Sequence, residues 1–222
     1  MATNNVVLAM TGASGTAYAV RLAQALLQAE CTVHLIASDA ARLVSTRELG
    51  VAMPADSGGS DQWLDFLYTC LMSEVTKSWG FNNIDLPSAA KLTVHSKNDY
   101  SAGIASGSFL TKGMIVCPCS MGTLSSIAAG ASTNLLQRAA DVHLKERRPL
   151  VLVPRETPLG MIALQNMVTL TQAGATVMPA MPGFYQYPTC IADLVDFVVG
   201  RACDHLGVPH QLVKRWGEDS AD

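Results

Sequence analysis

The chain has 222 residues, is 49% hydrophobic and only 15% charged, and carries a formal net charge of −3. That balance excludes a general nucleic-acid binder, which needs a basic face, and no apolar run approaches the roughly 20 residues that span a bilayer. The length suits a single α/β domain over 1–222 with an inserted helix around 54–100, and so apolar a composition anticipates heavily buried elements or large subunit interfaces.

The opening "MATNNVVLAMTG" lacks the basic stretch and longer apolar core of a signal peptide. The six cysteines are scattered with no CxxC, and "CPC" at Cys117–Cys119 lacks a second ligand pair, so no metal site is expected. The chain reads as reduced and cytoplasmic.

Taken in order, "NVVLAMT" predicts a buried strand, followed by a Gly-rich turn. "TAYAVRLAQALLQAE" then predicts a helix with Ala19, Leu22, Leu26 and Ala29 on one face. "CTVHLIAS" is a second strand ending at Ser38. "DAARLVSTRELG" is a helix with Asp39 at its start and Gly50 past its end. "PADSGGS" is a linker, after which Asp61 to Gly80 predicts an extra helix, ending before "FNNIDLPS". "GMIVCPCS" is a strand, and Ser120 opens the next helix. Asn134 caps a helix over "NLLQRAADVHLKERR". "PLVLVP" is a strand, and "TPLGMIALQNMVTLTQAG" a helix with Pro158 early and Gly174 at its end. "ATVMPA" and the long helix "TCIADLVDFVVGRACDHLG" follow, separated by a Pro-rich loop from Met178 to Pro188. Strands that alternate with helices imply a three-layer, Rossmann-like or flavodoxin-like parallel sheet with helices on both faces.

Four stretches suggest chemistry. In "MTGASGTAY" the glycines free backbone N–H groups toward an anion, and the following helix adds its positive dipole end. This is not a dinucleotide fingerprint, because G-x-G-x-x-G is absent and the second strand ends in Ser38 rather than an acid. No tyrosine has Lys four positions on, which excludes the short-chain dehydrogenase pair. "PCSMGT" and "IASGSF" place small hydroxyl residues beside strand ends, where ordinary capping or a plain loop competes with ligand binding. "LKERRPLVLVPRETP" holds four of the chain's 15 Lys plus Arg. Lys145, Arg147 and Arg148 suit a helix C-terminus, where cations complement the dipole. Arg155 and Glu156 lie at the C-terminal edge of a strand, where open α/β sheets bind ligands. The five histidines show no ligand spacing and receive no chemistry.

Together, "TGASG", "ASGSF", "PCSMGTLSSIAAG", "RAADVHLKERRPLVLVPRETPL", "MPGFYQYP" and "VKRWG" resemble the UbiX/Pad1 family of flavin prenyltransferases, in the family's order. The resemblance implies an enzyme that attaches a dimethylallyl group from dimethylallyl phosphate to N5 and C6 of reduced FMN. Its product, prenylated FMN, serves UbiD-type decarboxylases, and no metal is required. It also implies a homo-oligomer, a dodecamer built from trimers.

Residue by residue, the resemblance assigns Gly12, Ala13, Ser14 and Ser38 to the FMN phosphate and ribityl groups. Ser120, Met121, Gly122 and Thr123 line the flavin, and Arg138 and Arg155 complete those contacts. Ser106, Lys145, Arg155, Glu156, Tyr185 and Arg201 surround dimethylallyl phosphate, partly across a subunit interface, and Trp216 closes the site. Glu48, Glu156 and Ser14 form the catalytic set, with Glu48 relaying protons. The region Pro54 to Tyr100 is longer than the family pattern. Two competing readings are an FMN-dependent cysteine decarboxylase and a non-catalytic FMN-binding subunit of a decarboxylase. The first carries an active-site His and an Asn-containing loop that "PCSMGT" lacks.

Overall fold

The protein is described by a computed structural model covering residues 3–81 and 91–215. Six parallel strands form one sheet: β1 (Asn5–Met10), β2 (Thr32–Ala37), β3 (Leu92–His95), β4 (Gly113–Cys119), β5 (Leu150–Pro154) and β6 (Thr176–Val177). Their order is β3-β2-β1-β4-β5-β6, so the direction of winding reverses between β1 and β4. In a doubly wound sheet, that reversal opens a crevice at the carboxyl ends of the two strands.

The central strands are buried on both faces, as their unbroken apolar runs require. Side chains alternate across β1. Val6, Leu8 and Met10 face a core completed by α1 (Thr16–Gln28), α3 (Ser60–Leu71) and α8 (Ile191–His205). Val7 and Ala9 face a smaller core completed by α5 (Met121–Ala128) and α6 (Leu135–Lys145). The remaining helices are α2 (Asp39–Leu49), α4 (Glu74–Ser78) and α7 (Met161–Gln172).

Several caps follow the sequence signals. Ser38, Ser120 and Asn134 each accept a backbone N–H in the first turn of α2, α5 and α6. Gly50 ends α2 in the left-handed conformation.

The structure departs from expectation in three places. β3 was not anticipated; it pairs with β2 at the sheet edge, from Val33 opposite Leu92 to Ile36 opposite His95. The helix expected over 61–80 is two helices, α3 and α4. Ser73 breaks it, because its hydroxyl caps α4 by accepting from the Thr76 N–H at 3.2 Å. And α7 starts at Met161 behind Gly160, leaving Pro158 in the preceding loop after a cis Thr157–Pro158 bond.

Candidate functional site at the carboxyl edge of the sheet

The crevice is built first by Thr11, whose role no local sequence signal marks. Its buried hydroxyl donates to the Pro118 carbonyl at 2.6 Å and accepts from the Ser120 N–H at 2.8 Å. One side chain therefore fixes the ends of β1 and β4 against each other. The Pro118 carbonyl also accepts from the Thr11 N–H at 3.3 Å, where the β4–β5 register shifts between Val116 and Cys119. The Cys117 and Cys119 thiols are buried and pushed up by that burial, so they stay protonated and unreactive.

The turn after β1 has two glycines with distinct reasons. At Gly12 a Cβ would collide with the Cβ of Ala40, which lets the turn lie against the start of α2. Gly15 has φ 118°, a conformation open to glycine, and a Cβ there would meet the Tyr18 ring at 2.8 Å. The donors of this turn already hold an anion, and it belongs to the protein. Glu48, in the last turn of α2, accepts from Gly15 N–H at 3.0 and 3.1 Å and from Thr16 N–H at 2.8 Å. The favourable N-terminus of α1 is thus matched to a fixed carboxylate. Of the other turn residues, Ala13 is buried and Ser14 half-buried.

Arg155 follows β5 and reaches the same turn, with Nε 3.4 Å from the Ser14 carbonyl. Its neighbour Glu156 is exposed and accepts from the Thr157 N–H at 3.1 Å. Both border a small cavity of about 70 Å³ with Met167 and Met181. At the start of α5, Ser120 donates to the Thr123 hydroxyl at 3.1 Å, while Met121 is half-buried and Gly122 exposed. So Glu48, the 12–15 turn, Ser38, the Ser120–Thr123 turn and Arg155 all lie along one edge, the ends of β1, β2, β4 and β5.

A second group surrounds the loop between β3 and β4. Arg138 on α6 donates to the Ala105 carbonyl at 3.0 Å and pairs with Asp141 at 2.6 Å. Lys145 pairs with Glu146, whose carboxylate abuts Gly107 so closely that a Cβ there would collide with it. Exposed Ser106 shares a hydrogen bond of 2.9 Å with Ser108. Arg148, expected only as a helix-end charge, donates to the Phe109 carbonyl at 2.7 Å and to the Gly107 carbonyl. It therefore holds the loop that carries Ser106. Phe109 stands edge-on to His34, which stacks on His95 with Nδ1 and Nε2 3.0 Å apart. Burial, and then the neighbouring His95, push His34 down to about 4. Burial likewise lowers His95, against an opposing pull from Asp99.

A third group lies beyond β6. Tyr185 is half-exposed, edge-on to Phe197 at 5.6 Å between ring centres, and borders a cavity of about 600 Å³ with Leu212, Lys214 and Arg215. Arg201 on α8 is exposed and pairs with Asp204 at 3.1 Å. Burial pushes the Asp204 carboxyl up, but hydrogen bonds from His210 and Arg215 outweigh it and hold the group below its usual range. Trp216 lies outside the described residues.

The hydrogen bonds and ion pairs described above fall within each of the three groups. The exposed apolar side chains Met161, Ile162, Leu164 and Val168 of α7, with Met181 and Phe184 of the loop, mark where another chain can pack.

A doubly wound parallel sheet with hydroxyl and cationic side chains at its switch point defines a phosphate- and ring-binding α/β protein, and the Flavoprotein family profile matches residues 1–203. The chain is 47% identical over 213 residues to the flavin prenyltransferase UbiX of Pseudomonas aeruginosa, covering 96% of this chain and 94% of that one. A crystal structure of AnUbiX (PadA1) with FMN and dimethylallyl pyrophosphate is similar at a TM-score of 0.79 and 35% identity, over 98% of this chain and 100% of that one. A dodecameric FMN-dependent UbiX-like decarboxylase from Escherichia coli O157:H7 is similar at a TM-score of 0.76 and 37% identity, over 96% and 98%. The chain belongs to the UbiX family of flavin prenyltransferases.

Proposed function

We propose that this protein is a transferase that joins the dimethylallyl group of dimethylallyl phosphate to N5 and C6 of reduced FMN, releasing phosphate. The observation that carries the reading is the meeting of Arg155, the 12–15 turn and Glu48 at the switch point, in a chain 47% identical to a flavin prenyltransferase along almost its whole length. A cation and hydroxyl donors stand there, the donor set that FMN and an allylic phosphate require, with a fixed carboxylate acceptor beside them.

With Gly15 and Thr16 N–H groups given to Glu48, the FMN phosphate and ribityl chain fall to Gly12, Ala13, Ser14 and Ser38. Ser120, Met121, Gly122 and Thr123 line the ring, with Arg138 and Arg155 beside it. The prenyl donor is held by Ser106, Lys145, Arg155, Glu156, Tyr185 and Arg201, contributed by more than one chain.

The carbon–oxygen bond of the donor breaks as positive charge grows on the allyl group and negative charge on the phosphate. Prepositioned cations stabilise that anion without having to reorganise, and aromatic walls tolerate the allyl cation through their ring faces. Ring closure then needs a proton on the remaining carbon–carbon double bond of the prenyl group, which gives a tertiary cation that C6 attacks; the aromatic proton lost from C6 goes to Glu156 or the departed phosphate, so one proton is taken up and one released. Glu48, with Ser14 beside it, serves proton movement at N5. The prenylated FMN passes to a UbiD-type decarboxylase. The working enzyme is a cytoplasmic homo-oligomer, a dodecamer built from trimers, a size supported by the E. coli relative and by the exposed face of α7.

Anaerobic incubation with reduced FMN and dimethylallyl phosphate, read by mass spectrometry, tests this. The expected product is flavin plus one five-carbon unit; its absence would overturn the reading. A cysteine decarboxylase would instead release carbon dioxide from a cysteinyl peptide, and a delivery subunit would bind FMN unchanged.

A further inference from the structure

Asp204 stands where a carboxylate is poorly placed: in the last turn of α8, beside the negative end of the helix dipole. Three partners offset that position. One oxygen accepts from Arg201 Nη1 at 3.1 Å; the other accepts from Arg215 Nη2 at 2.9 Å and from His210 Nε2 at 3.1 Å. The His210 tautomer follows from its other nitrogen, which accepts the Leu212 N–H at 3.3 Å and leaves the proton on Nε2.

The segment after α8 is laid tightly along the helix. A Cβ on Gly200 would come within 2.9 Å of His210 Cε1 and 3.0 Å of Val213 Cγ2. Glycine inside a helix costs about 1 kcal/mol relative to alanine, and this close approach explains its presence. Further on, the Lys214 carbonyl accepts from Gln186 Nε2 at 2.7 Å, which joins the segment to the loop that carries Tyr185. Leu212 and Arg215 line the 600 Å³ cavity together with Tyr185.

We propose that Asp204 is a positioning residue that sets Arg201 and, through His210 and Arg215, fixes the 210–215 segment as the wall shared with Tyr185, so that the phosphate end of the prenyl-donor site is preformed. The identity of the ligand rests on the prenyltransferase reading; the tether does not. Asp204 itself makes no contact with the reacting atoms. Its effect falls on donor binding, because an unplaced Arg201 and a loose wall must be ordered each time the donor binds.

The test compares wild type with Asp204→Asn, Asp204→Glu and Arg215→Met. In Asp204→Asn, the KM for dimethylallyl phosphate should rise at least about tenfold while kcat stays within about threefold. Reduced-FMN affinity should hold, and trypsin should cleave after Lys214 faster than in wild type. Asp204→Glu keeps the charge and should recover most of the KM. Arg215→Met leaves the Arg201–Asp204 pair in place and should raise KM by less, with the same faster cleavage. An unchanged KM in Asp204→Asn overturns the proposal. So does a joint loss of kcat, FMN affinity and folding that Glu does not rescue. If Asp204→Asn fails to fold, an unchanged KM and cleavage rate in Arg215→Met overturn it. If wild type yields no five-carbon flavin product, the prenyltransferase reading falls, and the trypsin comparison alone decides the tether.

Discussion

Two helices of nearly equal length show how differently this chain treats its two faces. α1 has 13 residues and buries ten of them, among them Leu22, Leu26 and Leu27. α7 has 12 and buries only Leu170, leaving Met161 at 69% and Ile162 at 75% exposure. Both are apolar, so hydrophobicity alone does not separate them. α1 is covered by α8 and α3 within the chain, whereas α7 gives only Leu170 to the smaller core, with Met167 packed against it, and presents most of its apolar side chains outward. α1 is finished by its own chain; α7 is left uncovered by it. The loop that leads into α7 carries Arg155 and Glu156, so the uncovered face and the candidate site are neighbours.

That contrast can be broken or sharpened by substitution. The largest effect is expected at the site. Arg155→Met should cut prenyl transfer about 10²–10³-fold, the range for losing one fixed charge-stabilising donor, with little change in the urea unfolding midpoint. Glu48→Gln should accumulate the singly attached N5 adduct, seen by mass spectrometry; wild-type yields of the finished product would remove Glu48 from proton transfer. The glutamine has one acceptor where three N–H bonds converged, so its turn should also exchange amide hydrogens faster.

Next comes the α1 core. Leu26→Ala should destabilise by about 2–5 kcal/mol by chemical denaturation, as buried leucines generally do. In α7, Ile162→Ala should change the chain's own stability by less than about 0.5 kcal/mol. Ile162→Asp should instead lower the assembly mass in sedimentation, because it puts a charge into the apolar face; an unchanged mass would mean α7 faces solvent. The smallest effect concerns His34, held at about 4 against an ordinary value near 6.5. Its folded state resists protonation, so stability present above the ordinary value should decline as pH falls toward 4. His34→Gln should flatten that window in pH-dependent thermal melts.

Much of this architecture was legible beforehand because it depends on neighbours in the chain. The runs of β1, β2, β4 and β5 are apolar and bounded by turn residues, and the hydroxyl or amide caps Ser38, Ser120 and Asn134 act within three residues of themselves. The Ser73 cap is equally local, carried by "MSEV". β3 was harder: "LTVH" is only four residues long, and its strand character comes from hydrogen bonds to β2 some 60 positions away. Arg155 could be singled out from its place after a buried strand. Glu48 was legible only by resemblance, since its partners lie 32 and 33 positions earlier.

The chain order of its amino acids therefore settled the alternating α/β class, the turn chemistry and the cation at the end of β5. These are short-range consequences of periodicity, capping and backbone freedom. The fold alone decided that Thr11 would clasp β4, that the anion at the start of α1 would be Glu48, that His34 would meet His95, and that α7 would stay uncovered. Each of those depends on which distant segments the sheet order brings side by side, and no local spacing encodes that.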